Sequence, residues 1–188
     1  MTFFLVLVIS SIVSYILLLT SSNLTASIEQ TMASARSYVA IPPSYSTHLY
    51  QFILLNNIGH FWNPTRIWVW VPFIGAFSLG FELVLNAVVI GAVASFTSIT
   101  KGALFTVTGL APHGVLELPA FILEFTGLAR WHVTLTRAIY SKIGGRNVDR
   151  PLLWEGVKDT AVLSLLSLVL FVLAAAVETF VTPRLLGM

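Results

Sequence analysis

Apolar residues run along this chain in long unbroken tracts. Residues 3–19 form the first and hold no charged residue. A helix crossing the hydrocarbon core takes about 20 apolar residues, so this tract predicts a retained transmembrane helix. No Lys or Arg precedes it, unlike the basic start of a cleaved signal peptide; the Ser and Thr residues that follow keep cleavage as the alternative. Residues 20–48 are small and polar. Leu24, Ile28, Met32 and Ala35 recur there at helical spacing and predict an amphipathic helix closed by Pro42 and Pro43. A second tract runs from Ile67 to about Ser98. Split near Gly80-Phe81-Glu82 it gives two spans, 61–80 and 82–98; left whole it is one long tilted helix. Residues 103–126 are apolar but interrupted by Gly109, Pro112, Gly114 and Pro119. They predict a kinked span, or a re-entrant hairpin turning at 111–114. Residues 160–181 make the last span, closed by Pro183. The pattern predicts an all-α polytopic membrane bundle of about five transmembrane helices, with the 103–126 helix broken by Pro and Gly. Residues 1–48 are an N-terminal helix plus an external segment, and 49–188 a membrane domain.

Composition agrees. Of 188 residues, 56% are hydrophobic and 10% charged, with a mean hydropathy of +0.88. Soluble domains carry about 25% charged residues, so this chain cannot clothe a water-facing surface. Ten Lys and Arg against eight Asp and Glu leave a net charge of +2, too little to imply nucleic acid as a partner. Cysteine is absent, which excludes disulfides, thiol catalysis and thiolate metal sites.

The placement of charge says more. Six of the ten basic residues are Arg130, Arg137, Lys142, Arg146, Arg150 and Lys158. Basic loops stay in the cytoplasm, so residues 127–158 are expected inside, broken at Gly144-Gly145 and anchored at the interface by Trp131 and Trp154. Five spans then put residues 20–60 and the C-terminus outside. Four acids, Glu82, Glu117, Glu124 and Glu178, lie within or beside apolar tracts, where an ionisable residue costs about 2.5–3.5 kcal/mol.

Helical spacing groups these residues. His113 and Glu117 are about 40° apart around a helix, and Glu124 about 20° from His113. Glu82 and Asn86 share a face one turn apart. In the last span Ser164, Ser167, Ala174, Ala175 and Glu178 form a small and polar face, and Ala87, Gly91 and Ser95 form a small face suited to close helix packing. The leading expectation is a buried polar cluster of Glu82, Asn86, His113, Glu117 and Glu178 that holds helices together. A proton or ion pathway is the second reading. A metal site is the third, though no HExxH is present and the cluster implies no metal or other cofactor. His48, His60 and His132 fall near expected interfaces and read as surface or anchor residues. Asn23-Leu24-Thr25 matches the glycosylation pattern, which in so short a motif beside a span reads as chance. No phosphate loop, GxSxG elbow or dinucleotide turn occurs.

Pro112 and the stretch from His113 to Ala120 (HGVLELPA) resemble the signature of the stage II sporulation protein M family of integral membrane proteins. Three other stretches fit in order. Asn56-Asn57 after an apolar run is similar to the start of the family's first shared span. Residues 85–92 (LNAVVIGA) resemble its Asn-Gly…Gly pattern, with Ala87 where the family usually has Gly. Residues 177–183 (VETFVTP) resemble its Glu-x-Phe-x-(Ser/Thr)-Pro ending. The motif residues are thus Asn56, Asn57, Gly91, Pro112, Gly114, Pro119, Phe180 and Pro183. The resemblance covers about residues 50–186, and Asn63-Pro64 interrupts the run after Asn57. It implies a five-span helical protein without known enzymatic activity. In spore-forming bacteria the namesake is a membrane scaffold that localises two partners remodelling peptidoglycan. The leading expectation for this chain is a scaffold in the bilayer with unidentified membrane or envelope protein partners, and its polar stripes with the Ala87, Gly91 and Ser95 face lead to the expectation of a homo-oligomer. A transporter or channel built on the broken helix at His113 and Glu117 is the alternative.

Overall fold

The computed structural model describes residues 2–21, 42–58 and 68–187, together with positions 23, 26, 27 and 30. The expected amphipathic stripe at Leu24, Ile28, Met32 and Ala35, and also His60 and Asn63-Pro64, lie outside the described residues. The regular elements among the described residues are helices: α1 (Thr2–Thr20), α2 (Thr47–Ile58), α3 (Ile74–Lys101), α4 (Ala103–Ile143), α5 (Arg150–Phe180) and the single turn α6 (Thr182–Leu185). Among the described residues α3, α4 and the stretch Arg150–Leu185 are long and apolar enough to cross a membrane.

Three features differ from the sequence expectation. First, α3 is one helix of 28 residues through Gly80-Phe81-Glu82. A single helical glycine costs about 1 kcal/mol, which the apolar residues on both sides outweigh, so no turn forms there. Second, α4 runs 41 residues as one helix through Pro112 and Pro119, so the expected break is absent; the single span is kept and the re-entrant hairpin is excluded. Each proline removes one backbone bond, and the turns on either side keep theirs. Third, residues 127–158 are not a loop. Helix α4 continues to Ile143, a short turn follows, and α5 starts at Arg150. Gly145 adopts φ 68° in that turn, where a residue without Cβ avoids strain. The Asp149 carboxylate accepts a hydrogen bond from the Leu152 N–H at 3.1 Å, and Pro151 fits the first turn, so the start of α5 is written locally. Gly102, at φ 92°, is the only residue between α3 and α4.

The chain divides into two compact units. The first comprises residues 1–52, 82–113 and 176–188. Here α3 buries Ala87, Gly91 and Ser95 and exposes Val84, Leu85, Val88 and Val89. The small side chains face the protein and the branched ones face outward, as a helix in lipid requires. The Tyr50 ring stacks on Phe180 at 6.5 Å, and the Arg184 guanidinium lies 5.9 Å from the Tyr45 ring.

The second unit comprises residues 53–81 and 114–175. Val69 and Leu128 form its buried centre, flanked by Trp70 and Leu79. The Trp131 indole N–H donates to the Trp70 carbonyl at 2.8 Å, and the two rings meet edge to face at 5.7 Å. Phe121 meets Phe171 in the same way at 4.9 Å. Gly127 and Gly156 bring α4 and α5 together. A Cβ on Gly127 would stand 3.4 Å from the Leu163 Cβ, and one on Gly156 would collide with the Thr134 side chain.

Gly156→Val should therefore drive α4 and α5 apart and lower the melting temperature in detergent. Gly80→Ala, where nothing lies within 4 Å of the added carbon, should leave it unchanged or raise it. Equal effects would show that close approach at Gly156 is not needed.

Candidate functional site

The polar residues that the sequence singles out are distributed over both units. Glu82, Asn86, His113 and Glu178 belong to the first; Glu117 belongs to the second. His113 is buried at 9% exposure, and the other four are half-buried. Glu82 and Glu117 each engage in a polar interaction. The His113 Nδ1 is buried without a hydrogen bond. Of the motif residues, Asn57, Gly91 and Pro183 are buried, Pro112 and Gly114 are half-buried, and Asn56, Pro119 and Phe180 are exposed. No group of three His, Asp or Glu suited to a metal occurs among the described residues.

The second unit holds a polar seam that the sequence reading captured only in part. On α5 the buried residues Thr160, Ser164, Ser167, Phe171 and Ala174 follow a spacing of four, three, four and three. On α4 Ala120, Glu124, Gly127 and Thr134 keep the same repeat. This is the heptad of two helices packed along one line. The Ser167 hydroxyl donates to the Ala120 carbonyl at 2.9 Å, and the Thr160 hydroxyl to the Gly127 carbonyl at 3.3 Å and to its own helix at Gly156 at 2.8 Å. Ser164 bonds back to the Thr160 carbonyl at 2.6 Å. Each interhelical bond in a membrane is worth about 0.6 kcal/mol on average, so the two that cross the seam supplement its packing and do not replace it. Arg130 closes it with a 3.0 Å ion pair to Asp159; both side chains are partly exposed, so the pair adds little stability.

Two residues on the inner side of α4 stand out. Glu124 is 2% exposed and His132 5%. By helical spacing Glu124 falls on the His113 stripe, and α4 continues as one helix through Pro119 between them. His132 was expected at the surface, and the structure corrects this. The neighbouring arginines made its segment read as a loop, whereas on a continuous helix it turns toward Gly75. The 4-3 repeat of small and polar residues on α5 was the signal that could have located the seam. Of the two tryptophans read as anchors, Trp154 is exposed with the Lys158 ammonium 5.5 Å above its ring, whereas Trp131 packs inward.

The family model of stage II sporulation protein M matches residues 1–183. The chain belongs to that family. The match takes in the first 48 residues, beyond the motifs legible by eye. An uncharacterized protein of Methanocaldococcus jannaschii is 30% identical over 105 residues, covering 55% of this chain and 56% of that relative. The chain thus spans little more than half the length of the relative it matches. No solved structure matches the chain. Membership in the stage II sporulation protein M family agrees with the helical architecture and with a membrane location.

Phe171→Ala should lower stability strongly, by about 3–5 kcal/mol as for large core truncations. Ser167→Ala should cost about 0.6 kcal/mol. Thermal unfolding of both variants in one detergent checks the order; a larger loss for Ser167→Ala would place the seam's strength in its hydrogen bonds.

Proposed function

We propose that this protein is a non-enzymatic membrane scaffold that assembles with copies of itself and holds membrane or envelope partners in place. The observation that carries this reading is the α4–α5 seam, where hydroxyl groups bond to the backbone of the facing helix. Polar groups used in this way join helices. They are then not available to a solute. Family membership supports the same reading. In this proposal Glu82, Asn86, His113, Glu117 and Glu178 add further polar joints between helices, and Ala87, Gly91 and Ser95 give α3 its packing face. The transport reading drew on a discontinuous helix at His113 and Glu117, and α4 is continuous there.

For orientation we propose the basic turn inside, because Lys and Arg are retained in the cytoplasm. Helix α5 begins beside that turn. Tyr45 and Tyr50 lie against Arg184 and Phe180 at its far end, which favours placing residues 20–60 outside.

His113→Ala and Glu117→Ala should each lower the melting temperature in detergent and reduce recovery of assembled protein. Full stability and assembly in both would refute the structural role. Cross-linking in native membranes followed by purification should recover copies of the chain and bound envelope proteins; recovery of the monomer alone would refute the scaffold. Because the chain lacks cysteine, Asn147→Cys and Ser44→Cys make clean topology reporters. An impermeant maleimide should label position 44 in intact cells and position 147 only after the membrane is opened. The reverse pattern would invert the orientation.

A further inference from the structure

In the second unit the start of α3 lies against the end of α4. Tyr140, near that end, packs edge to face on Phe73 at 6.2 Å. Phe73 stands immediately before α3, and Phe77, one turn further on, is 82% exposed. A ring so bare, on a helix long and apolar enough to cross a membrane, belongs in hydrocarbon. Tyr140 therefore lies at the level where the apolar surface of α3 begins. Lys142 follows two residues later, about 3 Å along the axis. That distance is less than the headgroup layer on one side of a bilayer, about 5–8 Å thick.

The turn that follows is cationic. Arg137, Lys142, Arg146, Arg150 and Lys158 face only Asp149 and Glu155 in this part of the sequence. Lys142, Arg146 and Arg150, with Asn147 and Val148, line an opening of about 370 Å³, within the range of about 300–1,000 Å³ for small-ligand sites. The N-terminal end of α5 adds partial positive charge at Arg150. Asp149 accepts the Leu152 N–H, and no ion pair links the three cations to a carboxylate among the described residues. Like charges gathered round one opening repel until an anion joins them. Exposed apolar side chains flank them on both helices. Ile143 adjoins Lys142, and Leu152 and Trp154 lie within about one turn of Arg150.

We infer that the α4–α5 turn binds the phosphate headgroup of an anionic phospholipid. Lys142, Arg146 and Arg150 gather round the phosphate, and the acyl chains lie along Ile143, Tyr140 and Trp154. Basic pockets at the ends of membrane helices take such headgroups. A zwitterionic headgroup brings a cation of its own and is disfavoured here. A nucleic acid would leave Ile143, Trp154 and Phe77 bare, and a water-borne acidic peptide would have to displace lipid from them. One phospholipid satisfies the cations and the apolar surface together. The inference stands apart from the scaffold reading, because lipid can fill this site whichever partners the protein holds.

The test follows lipid binding to the full chain in a neutral detergent, by thermal unfolding and native mass spectrometry. Phosphatidylglycerol should raise the melting temperature and stay bound at lower concentration than phosphatidylcholine, more weakly as salt rises. K142Q/R146Q/R150Q should lose about tenfold or more in affinity and keep the lipid-free melting temperature. R146Q alone, in the turn outside both helices, should weaken binding severalfold and gives the reading if the triple variant does not fold. K101Q removes one charge from the first unit and should leave binding unchanged. Equal binding of the two lipids, undiminished binding by R146Q, or an equal loss in K101Q overturns the inference. So does inorganic phosphate that stabilises as well as phosphatidylglycerol, which would make a free anion the ligand. An acidic peptide or an oligonucleotide that binds more tightly and displaces the lipid overturns it too. A wild type that binds phosphatidylglycerol yet captures no protein in native membranes would leave this inference standing and remove the scaffold.

Discussion

A polar group taken into hydrocarbon must find its partner within the protein, and this chain meets that demand along the contact between α4 and α5. Gly127 and Gly156 remove the side chains that would hold the two helices apart. Only at that distance can Ser167 and Thr160 reach carbonyls on the opposite helix. The edge-to-face contact of Phe121 and Phe171 fills the space where the small residues give way to large ones. Lipid offers no hydrophobic drive to join helices, so close packing and interhelical bonds must supply it. The seam has both.

The same constraint accounts for the outward faces. Side chains such as Val162, Leu165, Leu166 and Val169 on α5 are exposed. In water they would mark an unstable surface; in a bilayer they are the solvated one. Charge is sorted in the same way. Basic residues gather at the α4–α5 turn, and the acids at membrane depth are half-buried or buried. An acid there has to be neutral or partnered, which is why residues such as Glu124 are informative about the fold that surrounds them.

Much of this was legible in the sequence. Long apolar tracts specified membrane helices, and the small faces of α3 and α5 are the buried ones. The motif around His113 and Pro119 pointed to the family. What the sequence obscured were boundaries. Gly80 with Glu82, and Pro112 with Pro119, are local helix-weakening signals, and their cost is smaller than the gain from keeping a long apolar helix intact. Arg130, Arg137 and Lys142 disguised the continuation of α4, because a charged helix leaving the bilayer has the composition of a loop. His132 was misplaced for that reason. A 4-3 repeat made of Thr, Ser and Ala carries little hydrophobic contrast, so it is a faint signal in the sequence and does not say which helix it faces.

The central claim is that α4 and α5 are held fast along this seam. Cysteine cross-linking tests it most directly. The native chain has no cysteine, and a Cβ at position 127 would lie 3.4 Å from that of Leu163, close to the separation of about 3.5–4.5 Å across a disulfide. Under mild oxidation in native membranes, Gly127→Cys paired with Leu163→Cys should cross-link almost completely within one chain while assembly is retained. A pair that stays reduced, or links separate chains, would contradict the account.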